Sequence, residues 1–229
     1  YLRFDPSFSN EPWADLVHEY VVGKDVEWQD GELELAFKGN RVDLLSAGQR
    51  EKAEVWIDGK RPSENPDLYY FTRPSKAVGV WWPAILRVGH NKPLILESWK
   101  AVITEINEDH TQFSFEVIGS KTGFDGKGTN EEVFVSNSGR VVIKPDDWHI
   151  KRGYDYRKHV TPKGYEITWE VKPLFHDVFD PPKIVDPSKE YPVTVAQGLS
   201  NTKHTLIIKA RQNAPCPVKA IRVYCPPRK

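Results

Sequence analysis

The sequence predicts an all-β sandwich with a single short helix near its beginning. Three observations carry that expectation. Apolar and polar residues alternate with period two in short runs such as Glu32–Phe37 and Glu54–Ile57, the pattern of strands with one face buried. A glycine turn closes each run, Lys38-Gly39-Asn40 after the first and Asp58-Gly59-Lys60 after the second, and Asp-Gly is a strong hairpin signal. Helical periodicity is confined to Asn10–Tyr20 and a single turn at Arg50–Ala53. In the first, Asn10 or Ser9 can cap, Glu11 favours the positive end, and Pro12 suits the first turn. Trp13, Leu16 and Val17 then share one face.

The remaining elements follow from turn-punctuated apolar runs. Strands are expected at Leu33–Phe37, Arg41–Leu45, Ala53–Ile57, Leu68–Thr72, Ala84–Val88 and Lys92–Glu105. Asn107–Thr111 reads as a polar hairpin connection into Gln112–Ser120. Further strands are expected at Glu132–Ser136, Val141–Ile143, Glu166–Pro173, Tyr191–Gln197, His204–Ala210 and Val218–Tyr224. Short strands at this frequency argue for a sandwich or a barrel. The prolines at 173, 181, 182, 187 and 192 mark either a linker between domains or a loop that crosses the sandwich.

Bulk composition narrows the classes of function. At 229 residues the chain accommodates one large β-domain or two small ones. Apolar content of 39% and aromatic content of 12% supply a core and argue against disorder. The 32 basic residues offset 32 acidic ones without a like-charge block, so nucleic acid is a poor partner. No apolar run reaches the roughly 18 residues of a membrane helix, so no membrane is expected. A first residue other than Met, and no Met anywhere, suggest a processed or excised chain with any signal peptide outside it. Cys216 and Cys225 flank the expected strand Val218–Tyr224. Such a strand separates them by about 30 Å, and the odd spacing points them to opposite faces, so no disulfide is expected.

The run from residue 24 to 60 and a second at 190–226, containing Gly198-Leu199-Ser200-Asn201-Thr202-Lys203-His204-Thr205-Leu206-Ile207-Ile208, carry a resemblance. The pair resembles the first and closing strands of jelly-roll β-sandwiches attached to glycan-active enzymes. These include the non-catalytic domains of SGNH/GDSL-type acetyl-xylan esterases. The resemblance implies one jelly-roll-like domain over residues 1–229. Residues 1–23 would be a helical lead-in, and residues 62–190 a large insertion between the first and last strands. It also implies an accessory module of a larger, secreted or periplasmic protein. Its partners would be a polysaccharide or oligosaccharide and a tethered catalytic domain.

Among the eight tryptophans, Trp56 and Trp169 read as core, the latter alternating with Ile167 and Val171. Trp81-Trp82-Pro83 is different, because neighbours on a strand face opposite ways and one of the pair should reach the surface. These rings, with Tyr69 nearby, either fill an irregular core or offer flat faces that stack on the apolar face of a sugar. The stretch Gly119–Glu132 reads as a loop, its four glycines permitting close backbone approach. It lacks the order of a Walker phosphate loop. Asp125, Asn130 and Glu131 there either hold Ca²⁺, which takes six to eight oxygens, or simply line a turn or a glycan-facing loop. Ser136–Arg140 forms a second polar loop. Asp125, Asn137 and Arg140 can supply directional bonds to sugar hydroxyls, or Arg140 can pair structurally with a carboxylate.

Catalytic signatures are sparse. The chain has no Gly-Asp-Ser block and no Gly-x-Ser-x-Gly elbow. Asp146-Asp147-Trp148-His149 matches the Asp-x-x-His spacing of SGNH esterases, but without the serine block it reads as coincidence. The histidines show no His-Glu-x-x-His spacing, His204 reads as a strand anchor, and His176, Asp177 and Asp180 give a weak cluster. The expected function is a non-catalytic carbohydrate-binding or accessory module, with no cofactor or with Ca²⁺. The alternatives are a polysaccharide-active hydrolase, esterase or lyase, and a purely structural domain that packs on an SGNH hydrolase.

Overall fold

A computed structural model describes residues 16–48, 51–74 and 83–226. Among these, fourteen strands and one α-helix follow in chain order: β1 (Val17–Val21), β2 (Trp28–Gln29), β3 (Glu32–Ser46), β4 (Ala53–Ile57), β5 (Tyr69–Phe71), β6 (Ser98–Ile106), β7 (Phe113–Gly119), β8 (Gly123–Thr129), β9 (Phe134–Val135), β10 (Val142–Ile143), α1 (Ile150–Arg157), β11 (Glu166–Pro173), β12 (Val178–Phe179), β13 (Pro192–Lys209) and β14 (Val218–Tyr224). The fold is all-β, built of curled antiparallel sheets. It divides into two compact units, Tyr1–Leu68 with Pro173–Lys229 and Tyr69–Lys172.

The first unit holds a seven-stranded sheet in the order β1-β14-β3-β13-β4-β12, with β2 added beside β3. The expected runs 33–37 and 204–208 pair directly, from Leu33 opposite Ile208 to Phe37 opposite His204. Beyond them β3 continues into a ladder with β14, Val42 opposite Val223 and Leu44 opposite Ile221. Leu33, Leu35 and Phe37 alternate inward from β3, as the period-two pattern requires, and they share one core with Val55, Ile57, Leu206, Ile208, Val42, Leu44, Ile221 and Val223. Both halves of β3 therefore face the same interior, which demands a curled sheet.

Lys38-Gly39-Asn40, expected as a turn, is instead the middle of the fifteen-residue strand β3. The glycine serves a close approach. A Cβ on Gly39 would lie 2.5 Å from the Tyr224 carbonyl oxygen and 2.5 Å from Val223 Cγ1. Facing it, β13 slips register between Gln197 and Thr202, where Gly198 takes φ +109°. Asp58-Gly59 does form the expected turn, with both φ positive (53° and 75°) and paired bonds between Ile57 and Lys60. Asp30-Gly31, joining β2 to β3, has the same geometry.

The expected N-terminal helix is corrected where it can be seen. Residues 17–20 belong to β1, which pairs with β14 from Val17 opposite Tyr224 to Val21 opposite Ala220. β-branched Val17 and Val21 suit that ladder, and tertiary pairing overrides the local helical pattern. Residues 10–15 of that stretch, and Gln49 and Arg50, lie outside the described residues. Trp56, expected in the core, is half-buried on the outer face of β4, while Val55 and Ile57 point inward. Its indole N–H donates to Glu54 at 3.3 Å, and the Arg61 guanidinium lies 5.3 Å from its ring. Cys216 and Cys225 are unbonded and donate separately, to the Val218 carbonyl and to Asn201 Oδ1.

The second unit holds a five-stranded sheet, β5-β11-β6-β7-β8, and the small β9–β10 hairpin. Trp99, Ala101 and Ile103 of β6, Phe115 and Val117 of β7, and Ile167 and Trp169 of β11 bury one face of the sheet. Phe134 and Trp148 pack on Phe115 with ring centroids 5.1 and 4.7 Å away. The expected strand Lys92–Glu105 begins only at Ser98, after Pro93 has removed a ladder donor. Ala84–Val88 makes only the isolated bridge of Ile85 to Trp148. The glycine-rich stretch expected as a loop is largely strand β8. Gly126 there adopts φ +121° beside a register slip against β7, and Gly128 lets Phe134 approach where a Cβ would lie 2.7 Å from its ring.

Gly39→Ala should destabilise the first unit by about 1–3 kcal/mol, because the new methyl overpacks against backbone that belongs to a ladder. Urea unfolding checks this as a lowered midpoint at unchanged slope. An unchanged midpoint would show that β14 can move aside.

Candidate functional site

The sequence-derived site residues take several distinct roles. Trp81 and Trp82 lie outside the described residues. Tyr69 packs partly against the core of the second unit, while its neighbour Tyr70 is 42% exposed. Asp125 and Asn137 do come together, since β8 lies beside the turn of the β9–β10 hairpin. Asp125 is 2% exposed, and its carboxylate accepts the Ser138 N–H at 2.8 Å and the Ser138 hydroxyl at 2.7 Å. Its carbonyl accepts the Asn137 N–H at 2.8 Å. Arg140 Nε donates to the Pro93 carbonyl at 3.0 Å. This cluster ties β8 to the β9–β10 hairpin.

Asp125, Asn130 and Glu131 bond to separate partners. Asn130 Oδ1 accepts the Phe113 N–H at 2.8 Å and its amide donates to the Thr111 carbonyl at 2.9 Å. Glu131 accepts from Gln112 at 2.8 Å. Among the described residues no three His, Cys, Asp or Glu side chains are grouped to hold a metal ion. His176, Asp177 and Asp180 likewise disperse, to the Thr194 carbonyl, the Ser63 N–H and Lys52. His149 precedes α1, its pKa pushed down by burial and then by the charge of Arg152.

His204 anchors its strand. Its Nδ1 lies 2.7 Å from Asp58 Oδ2, and Asp58 Oδ1 accepts the Thr205 N–H at 2.9 Å. The Ser200 hydroxyl is 3.3 Å from His204 Nε2, which places Ser, His and Asp in line. A base needs a lone pair facing that hydroxyl. The shorter contact of Nε2 is to the Ser200 carbonyl, at 2.8 Å, and a carbonyl requires the ring nitrogen to carry the hydrogen. In this arrangement the ring does not activate Ser200.

A different surface emerges from the register of the second sheet. Inward Trp99 and Trp169, both 1% exposed, force their neighbours outward. Thr168 of β11 stands opposite Lys100 of β6, Lys100 opposite Ile118 of β7, and Ile118 opposite Phe124 of β8. One row across four strands therefore carries a hydroxyl, an ammonium, an aliphatic chain and an aromatic ring. Phe124 is 57% exposed. An adjacent row holds Glu170 opposite Ser98, with Ser120 bonded to the Ser98 N–H at 3.1 Å. The row on the other side holds Glu166, Val102, Glu116 and Lys127. Lys100 Nζ reaches Glu166 diagonally at 2.7 Å, so the charges on this face are partly neutralised.

A depression of about 320 Å³ is lined by Ser98, Lys100, Ile118, Ser120, Thr168 and Glu170, with Thr72 at its β5 side; the Phe124 ring stands outside its lining. A second, of about 720 Å³, continues past Thr104, Ser114, Lys127 and Thr129. Glu170 pairs with Lys172, raising the ammonium pKa above its ordinary value, and Tyr70 contributes to the same field. The face thus combines hydroxyls, balanced charge and two exposed rings, Tyr70 and Phe124, on strand positions rather than mobile loops. It suits ligands with many hydroxyls and apolar C–H faces. The alternation Ser98-Trp99-Lys100 and Thr168-Trp169-Glu170 contained this signal. Phe124 was concealed by the glycines around it.

Asp125→Ala should destabilise the second unit by about 1–3 kcal/mol, because the N–H and hydroxyl of Ser138 lose their acceptor. Hydrogen exchange checks the locality of the effect. The amides of 136–140 should lose protection before those of β6 and β7, and uniform loss would contradict the assigned tie.

Comparison with known proteins returns no relative: no protein-family model, no curated protein and no solved structure matches this chain.

Proposed function

We propose that the chain is a non-catalytic carbohydrate-binding module and that its ligand lies on the outward face of β11, β6, β7 and β8. The observation that carries this reading is the row Thr168-Lys100-Ile118-Phe124, with an exposed ring at its end. A half-exposed phenyl ring on a strand contributes little to its own core. Next to hydroxyls and an ion pair, it offers a sugar both stacking and directional bonds. The two depressions along the strands favour an extended chain over a single small ring. The resemblance to accessory domains of glycan-active enzymes supports the same class of ligand. It makes the module part of a larger extracellular protein, with an SGNH catalytic domain as its proposed neighbour. Trp81 and Trp82 remain proposed as additional platforms.

Affinity electrophoresis in soluble xylan and in a neutral β-glucan tests the reading, with calorimetry on the better ligand. Phe124→Ala and Tyr70→Ala should each weaken binding several-fold to about tenfold, since ring stacking contributes roughly 0.5–1.5 kcal/mol beyond area burial. Both variants should keep the parent's unfolding midpoint. Parent-like binding by both would remove this face from the site. Release of reducing ends, unsaturated ends or acetate by the intact chain would replace the binding module with an enzyme.

A further inference from the structure

Two lysines on the outer face of the first unit meet without a counter-charge. Lys38 of β3 stands directly opposite Lys203 of β13. Their neighbours Phe37 and His204 turn inward, with ring centroids 5.5 Å apart, so alternation sends both lysines outward, and both are exposed. Like charges directly opposite on paired strands are destabilising. Elsewhere the same sheet sets cations against carboxylates. Lys209 stands opposite Glu32 and pairs with it at 2.9 Å. Arg222 stands opposite Glu19 and pairs with it at 2.6 Å. The Lys38–Lys203 pair breaks that pattern, at a cost that calls for another use.

The fold makes no use of either ammonium group. Among the described residues, Lys38 and Lys203 form no ion pair and no side-chain hydrogen bond. The carboxylate beside them, Asp58, is already committed. Its Oδ1 accepts the Thr205 N–H at 2.9 Å, and its Oδ2 lies 2.7 Å from His204 Nδ1. Glu34, further along the outer face of β3, stands opposite Ile207 rather than a lysine. Both lysines line a depression of about 490 Å³, together with Tyr20, Ala36, Asp58 and Thr205. Ala36, opposite Thr205, contributes the smallest side chain of that lining.

We infer that this depression binds a dianionic phosphate or sulfate group, held between Lys38 and Lys203. The site belongs to the first unit and does not rest on the sheet-face reading of the second. Directly opposite residues hold their Cβ atoms about 5 Å apart, so both flexible side chains can close on one small anion. A lysine ammonium is a compact point charge with three donors, suited to a tetrahedral oxyanion rather than to the planar fork of a carboxylate. Two such charges match two negative charges, and a monoanion leaves one of them uncompensated. Nucleic acid is a poorer match, because its affinity rests on many phosphate contacts along a basic stripe.

Calorimetry and thermal unfolding in inorganic phosphate, in sulfate and in acetate, at matched ionic strength in a chloride background, test this. The parent should bind one or both dianions, which distinguishes a phosphate ligand from a sulfate one, and its unfolding midpoint should rise with their concentration. Acetate should do neither. Lys38→Gln and Lys203→Gln should each weaken dianion binding at least about tenfold. In chloride alone the same variants should unfold about a degree or two above the parent, because each removes a like-charge contact. A lysine with a structural role would move the midpoint the other way. Lys209→Gln, which breaks the pair with Glu32, should bind the dianions like the parent. The inference is overturned by absence of dianion binding, by acetate binding as tightly, by parent-like binding in both Lys38→Gln and Lys203→Gln, or by a midpoint in chloride that falls in both. Phe124→Ala should bind the dianions like the parent, so failure here and failure of the sheet-face reading are separable.

Discussion

The first unit depends on one long-range ladder, the antiparallel pairing of β3 with β13. It runs from Glu32 opposite Lys209 to Leu45 opposite Pro192 and joins residues up to 177 positions apart in sequence. Nothing local compensates for closing that loop, so these contacts must be supported at several points along the ladder. A Lys209–Glu32 ion pair closes one end. In the middle, Asp58 links the β4 turn to Thr205 and His204. At the other end Arg41 donates twice to Asp43, at 2.8 and 2.7 Å, and once to Thr194 of β13, at 3.0 Å.

The Arg41–Asp43 pair differs in kind from the surface pairs. Asp43 is buried, and Arg41 is held charged by it while lying 4.7 Å from the ring of Tyr224. The same face carries Arg222, opposite Asp43 on β14, whose guanidinium pairs with Glu190 and Glu19. Those carboxylates hold Arg222 above its ordinary pKa. Exposed pairs of this type contribute little individually. A buried carboxylate left without its partner is expensive, so Arg41 acts chiefly against misregistered pairing of β3, in which Asp43 would be buried alone.

The same physics explains what was legible in the sequence. Ala53–Ile57, Glu166–Pro173 and Val218–Tyr224 coincide with strands because period-two burial is a local signal. Gly39 misled because a glycine that permits a turn also permits a close crossing, and only the position of Tyr224 decides between them. β8 was concealed for the same reason, since its glycines answer to Phe134 and to a bulge rather than to a loop. β1 has no autonomous signal stronger than a helical pattern, and its partner β14 lies at the other end of the chain. Of the expected site, Asp125 and Asn137 do meet, but through bonds that tie β8 to the β9–β10 hairpin. The sheet-face row appears only once the registers of four strands are known. Trp99 and Lys100 look ordinary until Trp169, Ile118 and Phe124 are set beside them.

The groups around that row are placed by the backbone ladder, as are Ser200, His204 and Asp58 in the other unit. Covalent catalysis needs a nucleophile with a base whose lone pair faces it, commonly in a site that excludes water. A Ser-His-Asp alignment at residues 200, 204 and 58 lies in the other unit, and there the Ser200 carbonyl occupies the nitrogen that would serve as base. On the sheet face ionisable groups pair with one another, Lys100 with Glu166 across β6 and β11 and Lys172 with Glu170 along β11. The rings of Phe124 and Tyr70 stand exposed on the same face. Strand positions fix their spacing through the backbone ladder, so a repeating ligand can meet them without reorganising the protein.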